Sequence, residues 1–276
     1  MSVATLASPF DAISLVLRVG SIGAAISSLE LLVHRDDLGD SGVLDGEVQL
    51  TRTRGLVQSR FRRWLDTLAT QKSATTIVAV RLLASCALIT AASTFEVARF
   101  GAVVVAVTTL LLRLRSPLGI HASGSMVMVT FTSCAFGLAV GTGRSMGFAL
   151  AFIGGQACLS YFVAGSHKFR AASWRSGTAI PLIASTLMWG RQREALLLRS
   201  RPGLGMVLCW TTMLGECSVP LSLVVPLPFA LGILGCAAIF HVVTAAEMGL
   251  NSFVWAFGST YPAIIYCWYW LHGVHT

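Results

Sequence analysis

The chain has 276 residues, 55% of them hydrophobic and only 12% charged, with a formal net charge of +8. A soluble domain carries about 25% charged residues, and here apolar stretches of about 20 residues recur along the whole length. Composition therefore excludes an ordinary soluble enzyme and predicts an all-α, polytopic transmembrane helix bundle. The positive charge is assigned to loops facing anionic lipid, with no nucleic acid as partner.

The first residues, MSVATLASPFDA, lack a basic n-region, so no cleaved signal peptide is expected. Membrane helices are expected at 10–33, 74–94, 97–114, 122–141, 146–169, 204–225, 227–247 and 250–272, eight spans in a single integral membrane domain, 1–276. The connection 34–72 opens with an acidic, Gly-rich stretch, HRDDLGDSGVLDGE, expected to be irregular. It continues as GLVQSRFRRWLDTLATQ, Gly55 to Gln71, where Leu56, Phe61, Trp64, Leu65 and Leu68 fall near one helical face and arginines on another. That pattern predicts an amphipathic helix, lying either on the cytoplasmic membrane surface or on neighbouring protein. The stretch TAIPLIASTLMWG, Thr178 to Gly190, is too short to span and predicts a half-helix or re-entrant element packed against protein.

Three connections hold sixteen of the twenty Lys and Arg residues: 34–72, 113–116 and 168–201. The positive-inside rule places that side in the cytoplasm, with both termini outside if there are eight spans. The expected location is the cell membrane, multi-pass, and the preference for arginine over lysine with high Ala and Gly suits a GC-rich bacterial source, hence a bacterial inner membrane. The seven cysteines are scattered and form no CxxC pair, so they are expected to be core residues.

An ionisable group at bilayer depth costs roughly 2.5–3.5 kcal/mol on insertion scales and needs a partner or a purpose. Arg18, Glu30 and Arg81 are expected to form structural ion pairs between the early helices, and Glu247, near a helix end, to face the headgroups. Glu216 lies in MLGECSVPLSL with Pro220 four residues on. Proline cannot return an N–H to the carbonyl of Glu216, so a kink is expected there, with a free backbone acceptor beside the carboxylate. Glu216 is then either a kink stabiliser or a polar site, a partner to a cation or an acid/base. His241 stands alone in LGCAAIFHVVTAAEMG and is either a hydrogen-bonded core residue or catalytic. No second histidine or carboxylate stands at ligand spacing, so no metal is expected.

Lysine occurs only twice, and Lys168 ends the apolar run from Phe148 to Phe169. Arginine stays protonated, whereas a desolvated lysine can lose its proton and act as a base. Tyr161, Gly165 and Lys168 share one helix face, and Gly165 permits close approach to the backbone. Trp174, Arg170 and Arg175 follow. The competing reading has Lys168 snorkelling to the headgroups, with Tyr161 and Trp174 in an aromatic belt.

The stretch QACLSYFVAGSHKFRAASWRSGTAI, Gln156 to Ile180, resembles the Y-F-x-A-G-x-x-K…W-x-x-G pattern of the HTTM family, the horizontally transferred transmembrane domain, which includes vitamin K-dependent γ-glutamyl carboxylase. FHVVTAAEMGLNSFVWAFGSTYPAIIY, Phe240 to Tyr266, is similar to the FH…MGLN-F…YP block of bacterial members, and GECSVP to the family's E…P helix. The resemblance covers most of the chain after about residue 74. It implies that Lys168 is the base that deprotonates a vitamin K-like quinol, whose reaction with O₂ yields a stronger base for carbanion formation and CO₂ addition. Taken with the residue readings above, the expected catalytic set is Lys168, His241 and Glu216, and the expected substrate- or quinol-binding set is Tyr161, Gly165, Trp174, Arg175 and Asn251. A reduced quinone is the implied cofactor, and a peptide and a partner membrane subunit are the implied partners besides membrane lipid. Two departures stand out. The large lumenal substrate-recruiting region of the carboxylase has no counterpart here, and the family's acidic G-x-D-G-S-D-Q-M segment reads GIHASGSM, with His121 and Gly124 in the acidic positions. Two other functions remain open from the residues: a non-catalytic membrane protein assisting peptide maturation, export or immunity, and a transporter using Glu216 and His241 as a proton relay.

Overall fold

In lipid only helices and closed barrels satisfy the backbone's polar groups, and continuous apolar runs of about 20 residues suit the helix. The computed structural model describes residues 3–39, 59–115 and 122–274, with side chains of 59–62 and 122 left aside, and among these residues all regular structure is helical. In chain order the helices are α1 (Pro9–Val33), α2 (Ser59–Ala69), α3 (Gln71–Ala91), α4 (Phe95–Arg115), α5 (Ala122–Val140), α6 (Gly143–Arg170), α7 (Ala172–Arg175), α8 (Ala179–Ala184), α9 (Gln192–Ser200), α10 (Pro202–Ser218), α11 (Leu227–Met248), α12 (Asn251–Gly258) and α13 (Tyr261–Leu271). Seven segments are long and apolar enough to cross a membrane: α1, α3, α4, α5, α6, α10 with its 3₁₀ continuation to Leu223, and α11. The protein is a polytopic all-α membrane protein.

The expected eighth span, 250–272, is broken into α12 and α13. The cause is local. Ser259 and Thr260 return their hydroxyls to the carbonyls of Ala256 and Phe257, and Pro262 has no N–H to continue the ladder. The segment Thr178 to Gly190 does not span, as expected: α8 is followed by turns.

The chain forms two compact units, one of residues 9–149 and one of residues from Leu150 on together with the N-terminal 3₁₀ turn, Val3–Ala7. In the first, α1 packs on α3, α3 on α4 and α4 on α5. Thr70 caps α3 by accepting from the Ser73 N–H. Thr142 and Ser145 cap α6 reciprocally, each hydroxyl accepting from the other's N–H, while Ser145 Oγ also donates to the Gly137 carbonyl. Leu65 and Leu68 of α2 are buried, as the amphipathic pattern requires, whereas Trp64, expected on the same face, is exposed. Leu56, the Phe61 side chain, the acidic stretch from Asp40 to Glu47, and His121 lie outside the described residues.

The buried cations of this unit settle differently from expectation. Arg81, 7% exposed, donates from Nε to Ser28 Oγ and from Nη2 to Ser27 Oγ, both at 2.8 Å, and both hydroxyls pass the polarisation on to the Ala24 carbonyl. Arg18 donates to Ser93 Oγ. Glu30 is exposed, and no ion pair joins the three among the described residues. Hydroxyls take the place of carboxylates because serines of α1 lie opposite Arg81, and a serine bonded to its own helix can still accept. Arg115, 1% exposed, ties the connection down by donating to the Leu38 and Ala69 carbonyls.

In the second unit three glycines set the helix contacts. A Cβ on Gly165 of α6 would lie 2.6 Å from Cys217 Sγ and 3.1 Å from the Met213 carbonyl oxygen on α10. Gly154 meets Cys267 and Ala263 of α13 in the same way. Gly177, at φ +76°, abuts the Met206 backbone, where a side chain would be both strained and blocked.

Candidate functional site

Lys168 is placed by the end of α6. The turn that follows is locked: Arg175 Nη1 donates to the carbonyls of Phe169 and Arg170 at 2.7 and 2.8 Å, and the Ala171 N–H closes on the Lys168 carbonyl. Arg175 therefore serves the helix C-terminus, whose free carbonyls and dipole favour a cation. Trp210 of α10 braces the same turn, its indole N–H reaching the Arg175 carbonyl and its ring standing edge-on to Phe169. With the backbone fixed, the Lys168 ammonium lies 5.2 Å from the centre of the Trp174 ring, within cation–π range.

Its principal partner is Glu216. Lys168 Nζ lies 2.7 Å from Oε1 and 2.6 Å from Oε2, with side-chain exposures of 22% for the lysine and 9% for the glutamate. The close contact at Gly165 brings α10 near enough for this pair to form. The kink expected at Pro220 takes a gentler form. The chain turns from α10 into a 3₁₀ helix, Val219–Leu223, and the Val219 N–H supplies the bond to the Glu216 carbonyl that proline cannot. The expected free backbone acceptor is thus absent, and the carboxylate alone carries the polar role.

Two turns back along the same face of α6, about 10 Å by helical rise, Tyr161 forms a second polar cluster. Its hydroxyl lies 2.6 Å from His241 Nε2 of α11 and 2.9 Å from the hydroxyl of Tyr261, the first residue of α13. Tyr161 and His241 are each 4% exposed. Aromatic rings pack against one side of the imidazole: Phe257 stacks on it at 4.9 Å and 19°, Phe253 at 6.2 Å and 29°, and Phe257 stands edge-on to Tyr161 at 5.1 Å. The other imidazole nitrogen, Nδ1, is buried and has no hydrogen-bond partner.

The structure thus brings Lys168, Glu216 and Trp174 into one group, and Tyr161 and His241 into another. Gly165 sits between them as a helix contact. Asn251 is exposed at the start of α12, and Arg175 is exposed and bound to carbonyls. Glu247 meets Arg191, which also donates to the Ala246 carbonyl. Sequence reasoning missed Tyr261, Phe253 and Phe257. Their one signal was spacing: Phe253 and Phe257 lie four apart on one helix face, and Tyr261 precedes a proline at a helix start. Among the described residues no group of three His, Cys, Asp or Glu could hold a metal. Compared with family models, with curated proteins and with solved structures, the chain matches none.

Proposed function

We propose that this chain is a membrane-embedded enzyme, resident in a bacterial inner membrane, in which Lys168 acts as the base on an acidic substrate. In this reading the reaction is of the kind implied by the HTTM resemblance, modifying a peptide or small acid at the expense of a reduced quinone. The observation that carries it is the Lys168–Glu216 pair, a cation and a carboxylate held at 2.6–2.7 Å between α6 and α10.

The pair is neutral as a unit and holds one transferable proton. With that proton on Nζ, the ammonium is held by both carboxylate oxygens and by the Trp174 ring. With the proton passed to a Glu216 oxygen, Nζ has a free lone pair and takes a proton from a substrate hydroxyl. The pair then carries one positive charge beside the substrate's new negative charge, and the two attract strongly because water is scarce. Arginine would keep its proton in this place.

The residues fit a reduced quinone in three respects: a basic amine, aromatic faces at Trp174 and Phe257, and a buried imidazole nitrogen with nothing to bond. Lys168, His241 and Trp174 would hold it, with Tyr161 behind His241. Such a group supplies an acidic hydroxyl and two electrons.

The test is quinol-dependent O₂ consumption by the purified protein in lipid nanodiscs. Turnover is expected in the parent and at background in folded Lys168→Met and Lys168→Arg. Full function in Lys168→Arg would mean that only charge matters and would favour a non-catalytic role in peptide maturation or export.

A further inference from the structure

The Tyr261–Tyr161–His241 chain has a direction, and the direction assigns a role to its loose end. Tyr161 O–H has one proton and two possible partners. It either donates to His241 Nε2 while accepting from Tyr261, or donates to Tyr261 while accepting from Nε2–H. A phenol is the more acidic donor of the two ring types, and an unprotonated imidazole nitrogen is a far better acceptor than a phenol oxygen. The 2.6 Å separation suits a strong O–H···N bond. The favoured order is therefore Tyr261 O–H to Tyr161 oxygen, and Tyr161 O–H to Nε2. The imidazole proton must then be on Nδ1, the atom that is buried without a partner.

An orphaned buried donor is uncommon and calls for a reason to be there, such as a partner supplied by a ligand. The chain behind it makes this donor better than an ordinary imidazole N–H, because each bond in a series polarises the next. The rings of Phe253 and Phe257, whose centres are 5.9 Å apart, pack toward the same side of the imidazole, and a ring N–H donates in the plane of its ring, so an acceptor arrives edge-on, at Nδ1 itself.

We propose that His241 is a neutral hydrogen-bond donor through Nδ1–H to an oxygen anion of the bound substrate, a phenolate, enolate or carboxylate, and that Tyr161 and Tyr261 are positioning residues that hold it in this tautomer. This rests on the reading of residues from Leu150 on as a substrate site, and it adds to Lys168 a separate group that stabilises negative charge where proton removal creates it. Nothing in this role requires His241 to change its protonation.

The experiment is ¹⁵N NMR of histidine-labelled protein in nanodiscs, with the His241 signals identified by their loss in His241→Gln. The expected result is a protonated Nδ1 and an unprotonated Nε2. Tyr161→Phe is expected to lose that single tautomer, and Tyr261→Phe, which leaves the Tyr161 donation in place, to keep it. Benzoate and a water-soluble hydroquinone, added separately, serve as acceptor probes, and at least one is expected to shift the Nδ1 resonance in the parent but not in Tyr161→Phe. An Nε2–H tautomer in the parent overturns the proposal. So does an Nδ1 signal indifferent to both probes, which would mean a structural donor. The readout needs no turnover. Absent O₂ consumption with a correct tautomer and a benzoate shift would count against the quinol reading alone, and turnover with the wrong tautomer against this inference alone.

Discussion

At the scale of single residues, Lys168 and Arg81 solve the same problem in opposite ways. Lys168 has a carboxylate, so removing Glu216 leaves a poorly hydrated ammonium. Glu216→Gln is expected to lower stability by about 1–3 kcal/mol, at the low end for a buried pair because the lysine is partly exposed, and Lys168→Met with Glu216→Leu to recover most of it. Thermal unfolding of the single and double variants in one detergent measures this. Arg81 has only hydroxyls, and these keep their bonds to the Ala24 carbonyl whether or not arginine is present. Arg81→Met is therefore expected to be tolerated, while Ser28→Ala, which strands the Nε donor, costs about 1–3 kcal/mol. The reverse order in a chemical denaturation series would mean that Arg81 is not held by these bonds. Lys168, Glu216 and His241 were legible in the sequence because a polar group stands out in an apolar run. Tyr261, Phe253 and Phe257 were not, because an aromatic residue there looks like core until its neighbours are known. The serine partners of Arg81 were hidden for a like reason: serine in a membrane helix commonly bonds to its own backbone, and only tertiary structure reveals what else it accepts.

At the scale of elements, length and apolarity located seven of the spans, but composition could not show the break at Ser259 and Thr260, where two hydroxyls compete for helical carbonyls just before a proline. The connection from α8 to α9 is the complementary case, a non-spanning element that is nevertheless apolar at its tip. Leu187 and Met188 are exposed, while Ser185 and Thr186 donate their hydroxyls to the Leu182 and Ile183 carbonyls and the Gly190 N–H returns to Thr186. Gly190 is required for this reversal, since a Cβ there would collide with the Ala184 carbonyl. An apolar tip with its hydroxyls turned inward, followed by the exposed Arg193, Arg199 and Arg201, is suited to dip into one leaflet and return. A polarity-sensitive fluorophore on Leu187→Cys is expected to report an apolar environment and to be quenched by spin-labelled acyl chains. Signal from labelled parent protein provides the correction for its native cysteines. A water-like spectrum with no quenching would place the tip outside the bilayer. At the contact of α6 with α10, Gly165→Ala would force the two helices apart. Overpacking of this kind costs about 1–3 kcal/mol, and the Lys168–Glu216 pair, formed across that contact, is expected to lose function beyond what the fall in melting temperature explains.

At the scale of the whole chain, charge is distributed by connection. The segments joining α1 to α3, α4 to α5 and α6 to α10 carry most of the Lys and Arg, whereas the short links at 92–94, 141–142 and 224–226 carry none. Along the chain these two sets alternate between the seven helices long and apolar enough to cross a membrane, up to the end of α11. The positive-inside rule predicts that the basic set faces the cytoplasm, and with it the Lys168 end of α6. The two ends of α10 make the sharpest test, because both belong to one compact unit and a single helix separates them. Ser200→Cys is expected to react with a membrane-impermeant maleimide from the cytoplasmic face, in inverted vesicles, and Val224→Cys only from the opposite face, in intact cells, each measured above the labelling of the parent chain. Both positions are exposed. Reaction of Ser200→Cys from outside would invert the orientation and bring Lys168 to the outer face, where a secreted peptide substrate would meet it. Reaction of both from the same face would mean that α10 does not cross, despite its length and hydropathy.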